Sequence, residues 1–141
     1  MVKLVNLTKE DKALIAKARE LARKSYISND KFLSDVFSLF ITEKGDEFYG
    51  ADIEKLASGS GICAETSAIS NMILAGKGNA KLKTVLALYD YMPKHKKNDY
   101  VILPPCGTCR HNLSKFGNPW VIVSKTKKVR LVELYPLPFK G

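Results

Sequence analysis

The most constraining feature of this chain is the placement of its three cysteines. Cys63-Ala64-Glu65 stands alone, and Pro105-Cys106-Gly107-Thr108-Cys109-Arg110 follows far downstream. Three thiolates can hold a zinc ion on three sides and leave the fourth tetrahedral position to water, while a carboxylate two residues from one ligand can move that water's protons. A fold that uses this pattern must bring the two stretches together. The candidate metal ligands are therefore Cys63, Cys106 and Cys109, with Glu65 as the general acid and base. Blander readings exist at each position. A lone cysteine is often a small buried hydrophobe, and Cys106-x-x-Cys109 alone could be a redox pair, but a redox pair leaves Cys63 and Glu65 idle. A closed structural zinc site needs a fourth ligand, which only His95 or His111 could supply.

Composition sets the outer limits. At 141 residues and 45% hydrophobic content, residues 1–141 make about one domain, large enough to bury a core without disulfides. The odd cysteine count and the lack of a cleavable apolar leader suit a reducing cytoplasm. No stretch approaches the roughly 20 apolar residues that cross a bilayer, so no membrane partner is expected. The net charge of +9 raises the prospect of a nucleic-acid partner. The lysines argue against it, because they are scattered through 9–24, 77–83, 94–97 and 125–128 and are not interleaved with stacking aromatics. They read as solvated faces, with 94–97 the best place for an anionic partner if there is one.

Thr8-Lys9-Glu10-Asp11 has the form of a helix start, with Thr8 as cap and Asp11 in the place of the usual Glu. Leu14, Ile15, Ala18, Leu21 and Ala22 then recur at helical spacing to about residue 24. Residues 37–41 and 47–51 predict two strands of a hairpin around Glu43-Lys44-Gly45-Asp46. From Cys63 to Ala75 the pattern is helical, with Ala64, Ala68, Met72 and Ile73 on its apolar positions and Gly76 as the stop. Residues 83–91 read as a buried strand, 93–99 as a polar loop, and 100–103 as a possible continuation of order that Pro104-Pro105 ends. A further helix should run from Cys106 to Phe116, followed by strands at 120–123 and 129–132. The order β-β-α-β-α-β-β after an initial helix predicts an α/β fold, a single mixed β-sheet with helices on both faces. Both halves of the cysteine pattern then fall at helix beginnings, where unpaired N–H groups and the helix dipole favour thiolate over thiol.

With these motifs read, the chain resembles the small homo-oligomeric zinc-dependent cytidine deaminases, a family that includes blasticidin-S deaminase. Three cysteine ligands with a non-ligating Glu are a known signature of zinc nucleobase deaminases. Gly61-Ile62-Cys63-Ala64-Glu65 and Pro105 to Arg110 match the two zinc motifs, and Gly50-Ala51-Asp52-Ile53-Glu54 looks like the family's Gly-x-Asn-x-Glu segment. Glu133-Leu134-Tyr135-Pro136-Leu137-Pro138-Phe139 is similar to its Glu-Leu-Leu-Pro-x-x-Phe tail. The resemblance implies a three-layer, cytidine deaminase-like architecture and a cytoplasmic enzyme of pyrimidine salvage. Its reaction would be hydrolytic deamination of cytidine, deoxycytidine or a related aminopyrimidine nucleoside to the uridine form, with release of ammonia. It further implies Zn2+ on Cys63, Cys106 and Cys109, proton transfer by Glu65, and substrate contacts from Asp52, Glu54 and the Ala64 N–H. The Pro104 carbonyl would accept from the leaving amine, and Phe139 would reach a neighbouring subunit's pocket in a homotetramer.

Several positions depart from the family. Its Asn is Asp52 here, which accepts but does not donate when ionised. An expected aromatic falls at Ser58, and another falls at Ser34, or at Phe32 with a small insertion. A wider pocket would follow, and with it the alternative of a modified or bulkier nucleoside of the blasticidin kind. A nucleic-acid-binding or editing deaminase is the remaining alternative. Three thiolates on a divalent cation leave one net negative charge, which many family members offset with Arg directly after the Glu. Thr66 stands there in this chain, leaving helix dipoles and Arg110 as the expected offset.

Overall fold

The computed structural model describes residues 2–28, 35–53 and 61–140. A two-residue strand, β1 (Val5–Asn6), leads into α1 (Lys9–Ser28). The start of α1 is a reciprocal cap. Thr8 N–H donates to Asp11 Oδ2 at 2.8 Å and Asp11 N–H donates to Thr8 Oγ1 at 3.2 Å, so the shorter Asp fills the Glu role of a capping box. Asp11 is buried and pairs with Lys128 at 2.7 Å. Burial pushes its carboxyl up, but the Lys128 ammonium and the Thr8 donors outweigh that and hold it below the usual value.

The hairpin of β2 (Phe37–Thr42) and β3 (Glu47–Ala51) forms as expected, with Gly45 at φ +91° in its turn. After it come α2 (Ala64–Leu74), β4 (Leu82–Asp90), a one-turn helix α3 (Met92–His95) and β5 (Tyr100–Ile102). Then α4 (Gly107–Leu113) continues into a 3-10 turn, Ser114–Phe116, before β6 (Trp120–Ile122), β7 (Lys127–Arg130) and a short α5 (Leu131–Leu134).

The strands form one mixed sheet in the order β1-β7-β6-β4-β2-β3, with β5 also paired to β4. Only the β4–β6 pairing is parallel. Alternation along each strand divides the core in two. Leu39, Leu86, Leu88 and Ile122 face Leu14, Ile15, Ala18 and Ala22 of α1. Phe40, Val85 and Val121 face Ala68, Ile69 and Met72 of α2 and Leu113 of α4. Helices thus cover both faces of the sheet, giving three layers.

Two features of this sheet place the starts of α2 and α4. First, β5 and β6 share one edge of β4: β6 lies opposite Thr84 and Val85, and β5 opposite Leu88 to Asp90. Leu103 N–H donates to Ala87 O at 2.9 Å in the gap, so the chain leaves the sheet at a fork and begins α4 there. Second, α2 lies directly on β3. A methyl group at Gly50 would sit 2.3 Å from both Ala64 O and Ala68 N.

The structure departs from the sequence reading in five places, the first being β1, which that reading did not include. Helix α1 runs to Ser28, about a turn beyond the expected end. The segment read as a polar loop contains α3, whose entry is set by buried Asp90: its Oδ1 accepts from Met92 N–H at 2.9 Å and its Oδ2 from Arg19 Nε at 2.7 Å. The last strand begins at Lys127 and ends at Arg130, and Leu131 and Val132 turn into α5. There Leu131 N–H still reaches Pro119 O at 3.0 Å, but Val132 N–H turns to the Asn118 side chain at 2.9 Å. Finally, Ile73 of α2 is exposed, and Ile69 takes the buried place.

Several of the scattered lysines pair with acids: Lys83 with Glu10, Lys94 with Asp35, Lys125 with Asp99 and Lys77 with Asp46.

Gly50→Ala should destabilise the protein by about 1–3 kcal/mol, the usual cost of forcing extra volume into a packed site. A lower urea midpoint with an unchanged slope would record it.

Candidate metal centre

Cys63 and Cys106 are both helix caps with extended backbones, at φ −71°, ψ 149° and φ −69°, ψ 172°. Each Cα–Cβ bond therefore leaves the chain just where a helix starts. The carbonyls of both residues already accept helical bonds, from Ser67 N–H at 3.1 Å and Arg110 N–H at 2.9 Å. Cys109 lies one turn into α4 and is fully buried, whereas Cys63 and Cys106 reach the surface. An isolated bridge seats the start of α2: Ile53 N–H donates to Ile62 O at 2.9 Å and Ile62 N–H to Ile53 O at 3.1 Å.

These anchors bring all three sulfurs within 4.8 Å of one another, with Cys63 Sγ and Cys106 Sγ 3.5 Å apart. A tetrahedral zinc with bonds of ~2.3 Å spaces its sulfur ligands about 3.8 Å apart, so the set matches the demands of that ion. Among the described residues, no histidine or carboxylate joins the three sulfurs as a fourth ligand. His111 Nδ1 instead meets Tyr135 Oη at 3.0 Å, and His95 lies exposed beside Tyr89 and Tyr91. A zinc held by these three sulfurs would keep its fourth position for a solvent molecule or substrate.

Protonation reflects the crowding of three thiols without a cation. Burial pushes Cys63 up, and burial with the nearby Glu65 carboxylate pushes Cys109 up further. Partial desolvation acts on Cys106 in the same direction, yet the Cys109 N–H and the neighbouring thiols as donors bring it below the ordinary value. Of the three thiols, Cys106 thus gives up its proton most readily. A divalent cation among the sulfurs overrides that order and deprotonates the ligands.

Glu65, on the first turn of α2, is only 7% exposed. Burial raises its carboxyl above the usual value, its own backbone N–H offsets part of that, and the Asp52 carboxylate adds to the rise. Such a group holds a proton closer to neutral pH than an exposed glutamate does.

A cavity of about 440 Å³ opens beside Cys63, Glu65 and Cys106, within the roughly 300–1,000 Å³ of small-molecule sites. Asp52 and Ala64 line it, and Pro104 forms part of its wall at the sheet fork. Asp52 Oδ1 accepts from both Asp35 N–H and Val36 N–H at 2.8 Å. The carboxylate that replaces the family's amide therefore braces the entry to β2 while it faces the cavity.

Glu54, Ser58, Phe32 and Ser34 lie outside the described residues. Phe139 is 70% exposed, is not among the residues lining this cavity, and donates its N–H to Tyr135 Oη at 3.0 Å. Arg110 does not play the part expected of it: its Nε donates to Pro105 O at 2.9 Å and its Nη1 to Leu134 O at 3.1 Å. It ties the loop before Cys106 to α5. Val36, Ala87 and Leu103 also line the cavity, and sequence reasoning did not single them out. Their apolar types carry no signal that separates a pocket wall from core. Asn112, which touches Thr66, was missed as well, although it stands one turn of helix from Cys109.

A family model described as the cytidine and deoxycytidylate deaminase zinc-binding region matches residues 8–125. The cytidine deaminase of Mycoplasma pneumoniae is 31% identical over 101 residues, covering 72% of this chain and 68% of that protein. The cytidine deaminase of Mycoplasma genitalium is 28% identical over 105 residues, covering 74% and 72%. Among solved structures, cytidine deaminase from Mycobacterium leprae superposes with a TM-score of 0.68 at 24% identity, covering 93% of this chain and 100% of that one. The Mycobacterium tuberculosis enzyme gives 0.69 at 21%, covering 96% and 100%. These structures share the fold of this chain. The sulfur cluster in the structure and the family match across most of the sequence agree, and the chain belongs to the cytidine and deoxycytidylate deaminase family of zinc-dependent hydrolases.

Proposed function

We propose that this protein hydrolyses the exocyclic amine of cytidine, deoxycytidine or a closely related aminopyrimidine nucleoside, with Cys63, Cys106 and Cys109 holding the zinc and Glu65 moving the protons. The observation that carries this reading is the meeting of three sulfurs within 4.8 Å beside a buried carboxylate and a nucleoside-sized cavity. Zinc bound there would supply the Lewis acidity that makes water nucleophilic at neutral pH.

The chain's own groups account for the remaining work. Glu65 accepts one proton from water and delivers it to the pyrimidine ring nitrogen as the ring carbon is attacked, then takes the remaining proton from the newly attached hydroxyl and gives it to the departing amine. Its raised proton affinity suits this double role, since a shuttle must hold a proton as readily as release it. Ala64 is the first residue of α2, so its N–H has no helical partner and is available to the pyrimidine carbonyl. The Pro104 carbonyl accepts from the amine. Asp52 accepts from a sugar hydroxyl, aided by Glu54. Water and nucleoside enter, and the uridine form and ammonia leave, with no change of oxidation state.

The same reading takes residues 1–141 as one domain acting in the cytoplasm, in pyrimidine salvage. It takes the working form as a homotetramer, in which Phe139 completes a neighbour's pocket. The exposure of Phe139 and Leu137 supports a tail that finishes its packing on another subunit. No helix among the described residues is long and apolar enough to cross a membrane.

Purified protein should carry about one zinc per chain and release ammonia from cytidine or deoxycytidine, measured by elemental analysis and a coupled ammonia assay. Glu65→Ala should keep the metal and lose at least about 100-fold in kcat, the scale of a missing general acid and base. Loss of the metal in that variant would make Glu65 a ligand and overturn its assignment as the shuttle.

Because the raised carboxyl is ionised at a cost, metal-free Glu65→Gln should be more stable than metal-free wild type at alkaline pH, by about 1 kcal/mol. The wild-type protein loses this stability as pH rises from the ordinary glutamate value through the higher folded one. The gain should therefore be full above that window and vanish below it, as urea unfolding at a series of pH values would show.

A further inference from the structure

We propose that Thr66 tunes the metal site by donating a hydrogen bond from its hydroxyl to Cys109 Sγ, held in that direction by the side-chain amide of Asn112. The inference rests on the zinc assignment above and adds to it the residues that temper the charge of the sulfur set.

Three observations converge on it. Thr66 Oγ1 lies 3.7 Å from Cys109 Sγ, a hydrogen-bond distance for sulfur. Asn112 Nδ2 donates to the same Thr66 oxygen at 3.4 Å. Cys109 is the one fully buried cysteine, whereas Cys63 and Cys106 are exposed.

A threonine hydroxyl carries one hydrogen and two lone pairs, and the amide nitrogen of Asn can only donate. Where Asn112 meets Thr66, the oxygen must accept, which leaves its single hydrogen for the sulfur. The two exposed sulfurs can take hydrogen bonds from solvent. Cys109 cannot, so a donor from the protein is the available means of satisfying it as a thiolate.

Such a bond draws electron density from the sulfur and so from the metal, moderating the one net negative charge of three thiolates on a divalent ion. Arg110, the nearest cation in sequence, is engaged with the carbonyls of Pro105 and Leu134. Thr66 and Asn112 project from α2 and α4, the two helices that carry the ligands, so the relay also links the halves of the site. Thr66 is a positioning and tuning residue that acts through Cys109.

The test uses the full chain loaded with cobalt(II), whose charge-transfer absorption from thiolate reads the electron richness of the sulfurs. Thr66→Val keeps the β-branched shape and removes the donor. It should shift the band to lower energy at equal cobalt occupancy, and Thr66→Ser should restore the wild-type position. In the zinc enzyme Thr66→Val should lower kcat about tenfold, the lower end of what lost outer contacts of metal ligands cost, with little change in KM. Asn112→Leu frees the hydroxyl to rotate and should shift the band in the same direction by less. It serves as the reading variant if Thr66→Val does not fold. Coincident bands in the folded variant and wild type would overturn the proposal, while a wild-type chain that takes up no cobalt would overturn the metal assignment and this inference with it.

Discussion

The site depends on one geometric demand, that two helix beginnings far apart in sequence be held face to face within the span of a single ion. The sheet meets it with unlike devices on its two sides. Gly50 lets α2 settle onto β3 until the helix backbone occupies the space of a side chain, and the Ile53–Ile62 bridge fixes the residues just before Cys63. On the other side, β5 and β6 divide one edge of β4, and the chain that leaves the gap has nowhere to begin α4 except beside α2. Neither device contains a ligand. Both set where the sulfurs are.

That division explains what could be read from the sequence. The convergence of the three cysteines near Glu65 was legible because metal and proton chemistry demand particular atoms at fixed spacing. The central elements were legible because burial imposes periods of two and 3.6 residues. The errors fall where burial and apolarity part company. Lys127 and Lys128 open β7, and Lys128 is buried against Asp11, so a lysine pair concealed a strand from any reading based on hydrophobic alternation. Leu131 and Val132 then looked like strand because they are apolar and branched or aliphatic, although Asn118 had already drawn the backbone into a turn. The short β1 is too brief to have a period at all.

Within the site, the legible part was chemistry and the illegible part was direction. Arg110 was the expected offset for the thiolate charge because it is adjacent in sequence, but adjacency in a helix places successive side chains about 100° apart. Its guanidinium accordingly points along the loop and α5. Thr66 and Asn112 come from different helices and meet at Cys109, a contact that needs the interhelical geometry before it can be seen. Asp52 shows the same limit. By residue type it was expected to bear on sugar recognition; in place, it fastens the entry to β2 through two backbone N–H groups.

Those assignments leave the centre with an unusual charge balance for so basic a protein. The +9 of the chain is an excess of basic side chains over acids, while Cys63, Cys106, Glu65 and Asp52 line one cavity with the Cys109 sulfur beside the other two. Positive charge at the surface is screened over about 10 Å at ordinary ionic strength, so it does little to offset carboxylates and thiolates held close together in a poorly solvated pocket. The compensation has to be local. On the proposed assignments it would come from the metal's two charges, from the backbone donors at the start of α2 and along α4, and from the Thr66 hydroxyl. A neutral hydroxyl donor tempers one sulfur and leaves the total charge alone, whereas a cation in the same place would lower the field over the whole pocket, including at Glu65. On the proposed assignments, retaining that negative field adds to the burial and the Asp52 carboxylate that raise Glu65, the direction a proton shuttle requires.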